Sequence, residues 1–115
     1  MRRRDWLLRV RDMLDAIDRI RVYVDGLDRD GFAGDPRTID AVVYRFAVLG
    51  EAAAAVPSDV RAAHQEVPWR EAADMRNVLV HEYFGVRVET VWKTIHDDLP
   101  GLAERLRALE KTPPP

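Results

Sequence analysis

The stretch Trp6-Leu7-Leu8-Arg9-Val10-Arg11-Asp12-Met13-Leu14-Asp15-Ala16-Ile17-Asp18-Arg19-Ile20-Arg21-Val22-Tyr23-Val24-Asp25-Gly26-Leu27 places apolar residues at Trp6, Val10, Met13, Ile17, Ile20, Val24 and Leu27. Alternating steps of four and three keep these side chains on one stripe of an α-helix, and predict a long helix packed at a shallow angle against its neighbours. Beyond it, Asp25, Gly26, Asp28, Asp30, Gly31, Gly34 and Asp35 have the composition of a connection. Asp35-Pro36 suits an N-cap followed by proline at the first helical position. Ile39, Val42, Phe46, Leu49, Ala53 and Val56 then repeat the same spacing and predict a second long helix that ends at Pro57. The polar run Ser58 to Glu66 suits a short helical turn capped by Ser58. Pro68 opens a third helix with a seam of Trp69, Ala73, Arg76, Val80 and Tyr83, and Gly85 is a natural stop. A fourth helix follows on Val88, Trp92, Ile95, Leu99, Leu102, Leu106 and Leu109. Its register runs through Pro100, where a kink is expected.

No strand-like alternation or internal repeat competes with this pattern. The expected fold is all-α, a four-to-five-helix bundle with antiparallel long helices. At 115 residues with 47% hydrophobic and 33% charged positions, the chain suits one domain, expected over residues 1–111. Thr112-Pro113-Pro114-Pro115 is expected to be a disordered tail. Such a domain needs no disulfide or structural metal, and there is no cysteine. Arg9, Arg11 and Asp12 interrupt any secretory apolar run, and Arg45 breaks the most apolar window, so a cytoplasmic protein with no membrane span is expected.

A formal net charge of -2, from 18 basic and 20 acidic residues, argues against a general polyanion binder. Residues 1–24 nevertheless hold seven arginines against four aspartates. That surplus suits phosphate contacts, although arginine on a helix is more often a solvated face.

The third helix is where the apolar pattern breaks, because it presents Arg76, Asn77, His81 and Tyr83 beside buried positions. On an ideal helix Arg76 and His81 are about 140° apart, so they do not stack. They can address one phosphate if the helix loosens before Gly85, if Arg76 curls around the surface, or if a symmetry-related copy supplies half of the site. RNA carries its own nucleophile, so a cleaving site needs little beyond a base and a phosphate clamp. His81 has the chemistry to take the 2′-hydroxyl proton near neutral pH. Arg76 can grip phosphate oxygens with its planar fork, Tyr83 can stack on a base or donate to phosphate, and Asn77 can orient the imidazole.

The octet Arg76-Asn77-Val78-Leu79-Val80-His81-Glu82-Tyr83 resembles the Arg-x4-His-x-Tyr signature of HepT-like toxins, a family of the HEPN superfamily (higher eukaryotes and prokaryotes nucleotide-binding). The likeness extends through Leu14-Asp15-Ala16-Ile17, Asp40-Ala41-Val42, Leu49-Gly50-Glu51-Ala52, Pro68-Trp69-Arg70, His81-Glu82-Tyr83-Phe84-Gly85-Val86, Val91-Trp92 and Leu99-Pro100-Gly101-Leu102. The resemblance implies a HEPN-like bundle acting as a homodimer. It also implies a metal-independent endoribonuclease without cofactors, whose two arginine-histidine motifs meet in one composite cleft. Arg76 and His81 would be catalytic, and Asn77 and Tyr83 would position substrate. The implied partner besides RNA is a minimal nucleotidyltransferase antitoxin, which silences such toxins by attaching AMP to the tyrosine matched by Tyr83.

A second reading is a non-catalytic helical dimer that binds a nucleotide or the nucleotidyltransferase. A third, mere oligomerisation, leaves the Arg76, Asn77, His81 and Tyr83 group unexplained. Glu51 follows Gly50, which permits close helix approach, so its carboxylate can reach the cleft or bind an arginine. A structural ion pair is at least as simple. Asp74 and Arg70 are similar, and none of the three is assigned to catalysis. His81-Glu82 starts like a zinc-protease helix, but glycine stands at position 85 where a second histidine is required. His64 and His96 lack ligand-spaced partners and suit surface or capping roles. Trp6, Trp69 and Trp92 fall on apolar seams, which suits core or dimer interface.

Overall fold

The computed structural model describes residues 2–81 and 87–111, without the side chains of residues 77–81. Its helices are α1 (Arg3–Val24), α2 (Arg29–Ala33), α3 (Pro36–Ala54), α4 (Ser58–Ala63), α5 (Trp69–His81), α6 (Val88–Asp97) and α7 (Leu99–Lys111). Among the described residues there is no strand, so the all-α expectation holds. No helix there is long and apolar enough to cross a membrane.

The heptad seam of α1 is buried from Trp6 to Val24, with Val10, Met13, Ile17 and Ile20 fully enclosed. Helix α3 is the centre of the bundle and makes its most extensive contacts with α5 and α1, while α1 also meets α7. Phe46 and Leu49 of α3 join Leu99, Leu102, Leu106 and Leu109 in one continuous apolar cluster. Burying side chains of this size contributes roughly 1.5–3 kcal/mol each before conformational entropy is counted. The cluster therefore sets the positions of the long helices.

The start of α3 forms as the sequence predicts. Asp35 accepts from the backbone N–H of Thr38 at 3.0 Å and from its hydroxyl at 2.7 Å, with Pro36 in the first turn. These bonds stabilise the ionised form and hold the Asp35 carboxyl below its ordinary value.

Four local details differ from the sequence reading. Helix α1 stops at Val24, where Gly26 adopts a positive φ of 78° that suits glycine, and Leu27 folds back to bond the Val24 carbonyl at 3.0 Å. The connection after it contains α2, because Asp28 caps the backbone N–H of Gly31 at 2.7 Å. Phe32 of α2 is fully buried, 5.3 Å from the Trp92 ring, and Arg29 pairs with Glu89 of α6. Ser58 is the first residue of α4 and caps nothing; Pro57 holds the cap position. Finally, the fourth helix divides at Asp98 instead of merely kinking. Pro100 then falls in the first turn of α7, where its missing N–H has no bond to lose, and Ile95, Leu99 and Leu102 stay buried across the break. The expected tail at 112–115 and the Gly85 stop lie outside the described residues.

Candidate active site

Helix α5 is anchored at its start by Trp69. The buried indole donates from Nε1 to the His64 carbonyl at 2.9 Å, which ties α5 to the end of α4. Ala72 is fully buried and Ala73 packs against the core, so small residues bring the α5 backbone close to α3. A tight approach lies at Gly50. A methyl group there would lie 2.6 Å from the Arg76 Cβ, 2.9 Å from the Ala73 carbonyl oxygen and 2.9 Å from the Arg76 nitrogen. Real Cβ atoms do not approach backbone that closely, so only glycine fits without displacing α5.

Directly beside that contact, Arg76 donates from Nη1 to Oε1 of Glu51 at 3.0 Å. The Arg76 side chain is 33% exposed and that of Glu51 72%. The Arg76 side chain is therefore partly buried while Glu51 stands in solvent. Arg76 has further N–H donors to offer a ligand, since a guanidinium carries five. Glu51 also lines an open groove of about 510 Å³ between α1 and α3, together with Arg9, Asp12, Tyr44, Val48 and Ala52.

The backbone of α5 is helical through His81, which places positions 76 and 81 about 140° apart around the axis and about 7.5 Å apart along it. The side chains of Asn77 and His81, and all of Tyr83, lie outside the described residues. Of the predicted site residues, Arg76 is thus the one whose side-chain surroundings are defined. Glu51 is its carboxylate partner, and the adjacency of Gly50 and Glu51 is the sequence signal for that pairing.

Of the seven arginines in residues 1–24, three stand in ion pairs with described carboxylates. Arg9 meets Asp12 at 2.9 Å, Arg19 meets Asp15 at 3.2 Å and Arg11 meets Glu110 at 3.3 Å. Arg45 lies 5.2 Å from the Tyr44 ring centre, and the neighbouring guanidinium groups of Arg45 and Arg19 hold the Tyr23 phenol below its usual value. The face of α1 is accordingly a mixed-charge surface. Arg70 and Asp74 approach only to 4.0 Å on the exposed side of α5. His96 packs on Trp92 with ring centres 4.2 Å apart, and its Nδ1 lies 2.9 Å from the Trp92 carbonyl oxygen. His64 lies 3.5 Å from Glu66 and 5.7 Å from the Trp6 ring. Trp6 and Trp69 are buried and Trp92 is half-buried against the core. Among the described residues no group of three or more His, Asp or Glu converges as metal ligands would.

The profile of the family described as Ribonuclease HepT-like matches residues 13–109. A protein named Probable ribonuclease HepT, from Thermococcus cleftensis, is 38% identical over 87% of this chain and 91% of its own length. A candidate RNase of Caldanaerobacter subterraneus subsp. tengcongensis is 37% identical over 75% of this chain and 77% of its own. A candidate RNase of Methanocaldococcus jannaschii is 32% identical over 96% of both chains. No solved structure gives a significant match.

Proposed function

The chain belongs to the Ribonuclease HepT-like family, and on that premise we propose that it is an endoribonuclease toxin that cleaves RNA at a site built from Arg76 and His81. The observation that carries the reading is Arg76 itself, a half-buried arginine with spare donors at the tight Gly50 contact, five residues before a histidine on the same helix.

In this reading His81 accepts the proton of a ribose 2′-hydroxyl. The freed oxygen attacks the adjacent phosphorus, the bond from phosphorus to the 5′-oxygen breaks, and the departing oxygen takes a proton from solvent. The products are a 2′,3′-cyclic phosphate and a 5′-hydroxyl. Arg76 stabilises the charge gathering on the phosphoryl oxygens, a role typically worth about 10²- to 10³-fold. General base catalysis by the imidazole is worth about 10²- to 10⁴-fold. No step needs a bound metal or cofactor.

The angular offset of positions 76 and 81 supports a homodimer in which Arg76 of one copy and His81 of the other serve the same phosphate. Asn77 orients the imidazole and Tyr83 positions the substrate. Regulation follows from the same charges: an antitoxin of the minimal nucleotidyltransferase type attaches AMP to the Tyr83 hydroxyl, setting a phosphate where the RNA phosphate binds. The working compartment is the cytoplasm, where toxin, antitoxin and RNA meet, and residues 1–111 act as one domain.

The test is incubation of purified, unmodified protein and His81→Ala with total RNA in EDTA, followed by analysis of fragment ends. Cleavage by the native protein alone, leaving cyclic phosphates, is expected. Intact RNA in both reactions would leave a non-catalytic nucleotide- or nucleotidyltransferase-binding dimer as the reading.

A further inference from the structure

Helix α3 supplies two things to Arg76 from consecutive residues. Gly50 clears the space in which the arginine's Cβ and backbone nitrogen sit, and Glu51 accepts from its Nη1 at 3.0 Å. An exposed ion pair of this kind adds little to folding stability, because both charges are well solvated when apart. Holding a guanidinium in one orientation is a different service. Arg76 has several rotatable bonds, and a free side chain loses that freedom each time it grips a phosphate.

We propose, resting on the RNA-cleavage reading above, that Glu51 is a positioning residue for Arg76, fixing one edge of the guanidinium so that the other meets the scissile phosphate. The carboxylate touches neither the reacting atoms nor His81 in this scheme; it acts through Arg76. Its negative charge also stands close to the incoming phosphate and repels it in the ground state. Removing the charge should therefore slow turnover without weakening RNA binding. Loss of a purely structural contact would not give that combination. The groove beside Glu51 is open, so the side chain can be altered without repacking the core.

The experiment compares the native protein with Glu51→Ala, Glu51→Gln and Glu51→Asp on a short, fluorescently labelled, mixed-sequence single-stranded RNA, measuring kcat, KM and Tm. For Glu51→Ala, kcat should fall about 10- to 100-fold, as expected for a misplaced catalytic group, with KM unchanged or lower and Tm unmoved. Glu51→Gln should fall less, and Glu51→Asp should regain part of the rate. A kcat for Glu51→Ala within twofold of native, or a raised KM with unchanged kcat, would overturn the role of Glu51 while leaving RNA cleavage standing. Failure of the native protein to cut this RNA would remove both readings together.

Discussion

The contact of α3 with α5 and the core shared by α1, α3 and α7 are built on opposite rules. In the core, large side chains fill space: Met13, Ile17, Ile20, Phe46, Leu49 and Leu106 are all fully enclosed. Where α3 meets α5, space is removed, and Gly50 lies against Ala73 and Arg76 with no room for a methyl group. The first arrangement is complete within one chain and needs nothing added. The second ends on a partly buried arginine side chain that donates to one exposed carboxylate. Bulk thus sets the fold here, and small residues set the position of Arg76.

Substitutions at five positions test this contrast, and the largest effect belongs to the site. Arg76→Ala and His81→Ala should each lower RNA cleavage by about 10²-fold or more while the helical circular dichroism and Tm stay near native. Arg76→Lys should recover little, because an ammonium is a point charge without the planar fork. Toxicity on expression that survives both alanine substitutions would contradict the assignment.

The core should show the reverse. Phe32→Ala should cost about 3–5 kcal/mol by urea unfolding, since it empties the space between α2 and Trp92 of α6. Any folded fraction should keep its cleavage rate. A loss under 1 kcal/mol would mean that α2 is peripheral, contrary to the complete burial of Phe32. Gly50→Ala lies between the two classes. It should cost about 1–3 kcal/mol through overpacking and also depress cleavage, because the displaced neighbour is Arg76. Normal activity in a destabilised Gly50→Ala would separate the helix contact from the site.

The smallest effect is at the α3 cap. Asp35→Ala should lower Tm slightly at neutral pH, since its carboxylate accepts two bonds from Thr38. The folded carboxyl titrates below its ordinary value of 3.8. Its contribution is therefore fully present above about pH 4, and is lost as pH falls through the lower folded value. The Tm gap between Asp35→Ala and native protein should shrink accordingly on acidification. A gap that widens in acid would contradict the cap.

Much of this architecture is legible in the sequence because long helices with a repeating apolar step declare their buried face. The seams of α1, α3 and α7 needed no structure to find. The Asp35-Pro36 start was equally plain, since cap and proline both act locally. Helix α2 was hidden because five residues are too few for periodicity; only Asp28 three residues before Gly31, with one aromatic after it, announces the helix. The break at Asp98 escaped for a related reason: the apolar register survives it, so periodicity alone cannot distinguish a kink from a division into two helices. For the site, the octet from Arg76 to Tyr83 stands out as polar residues on an otherwise apolar seam. The Arg76–Glu51 pair is less visible, because residues 25 positions apart are brought together by tertiary packing.

In the proposed dimer, the arginine and histidine serving one phosphate come from two copies of the chain. The decisive experiment co-expresses Arg76→Ala and His81→Ala under different tags, purifies the mixed dimer and measures its cleavage of labelled RNA. Each variant alone should be silent, and the mixed dimer should cut, since one cleft then contains an intact Arg76 opposite an intact His81. A mixed dimer as inactive as its parents, beside a native protein that cleaves, would contradict the divided site and return both residues to a single chain.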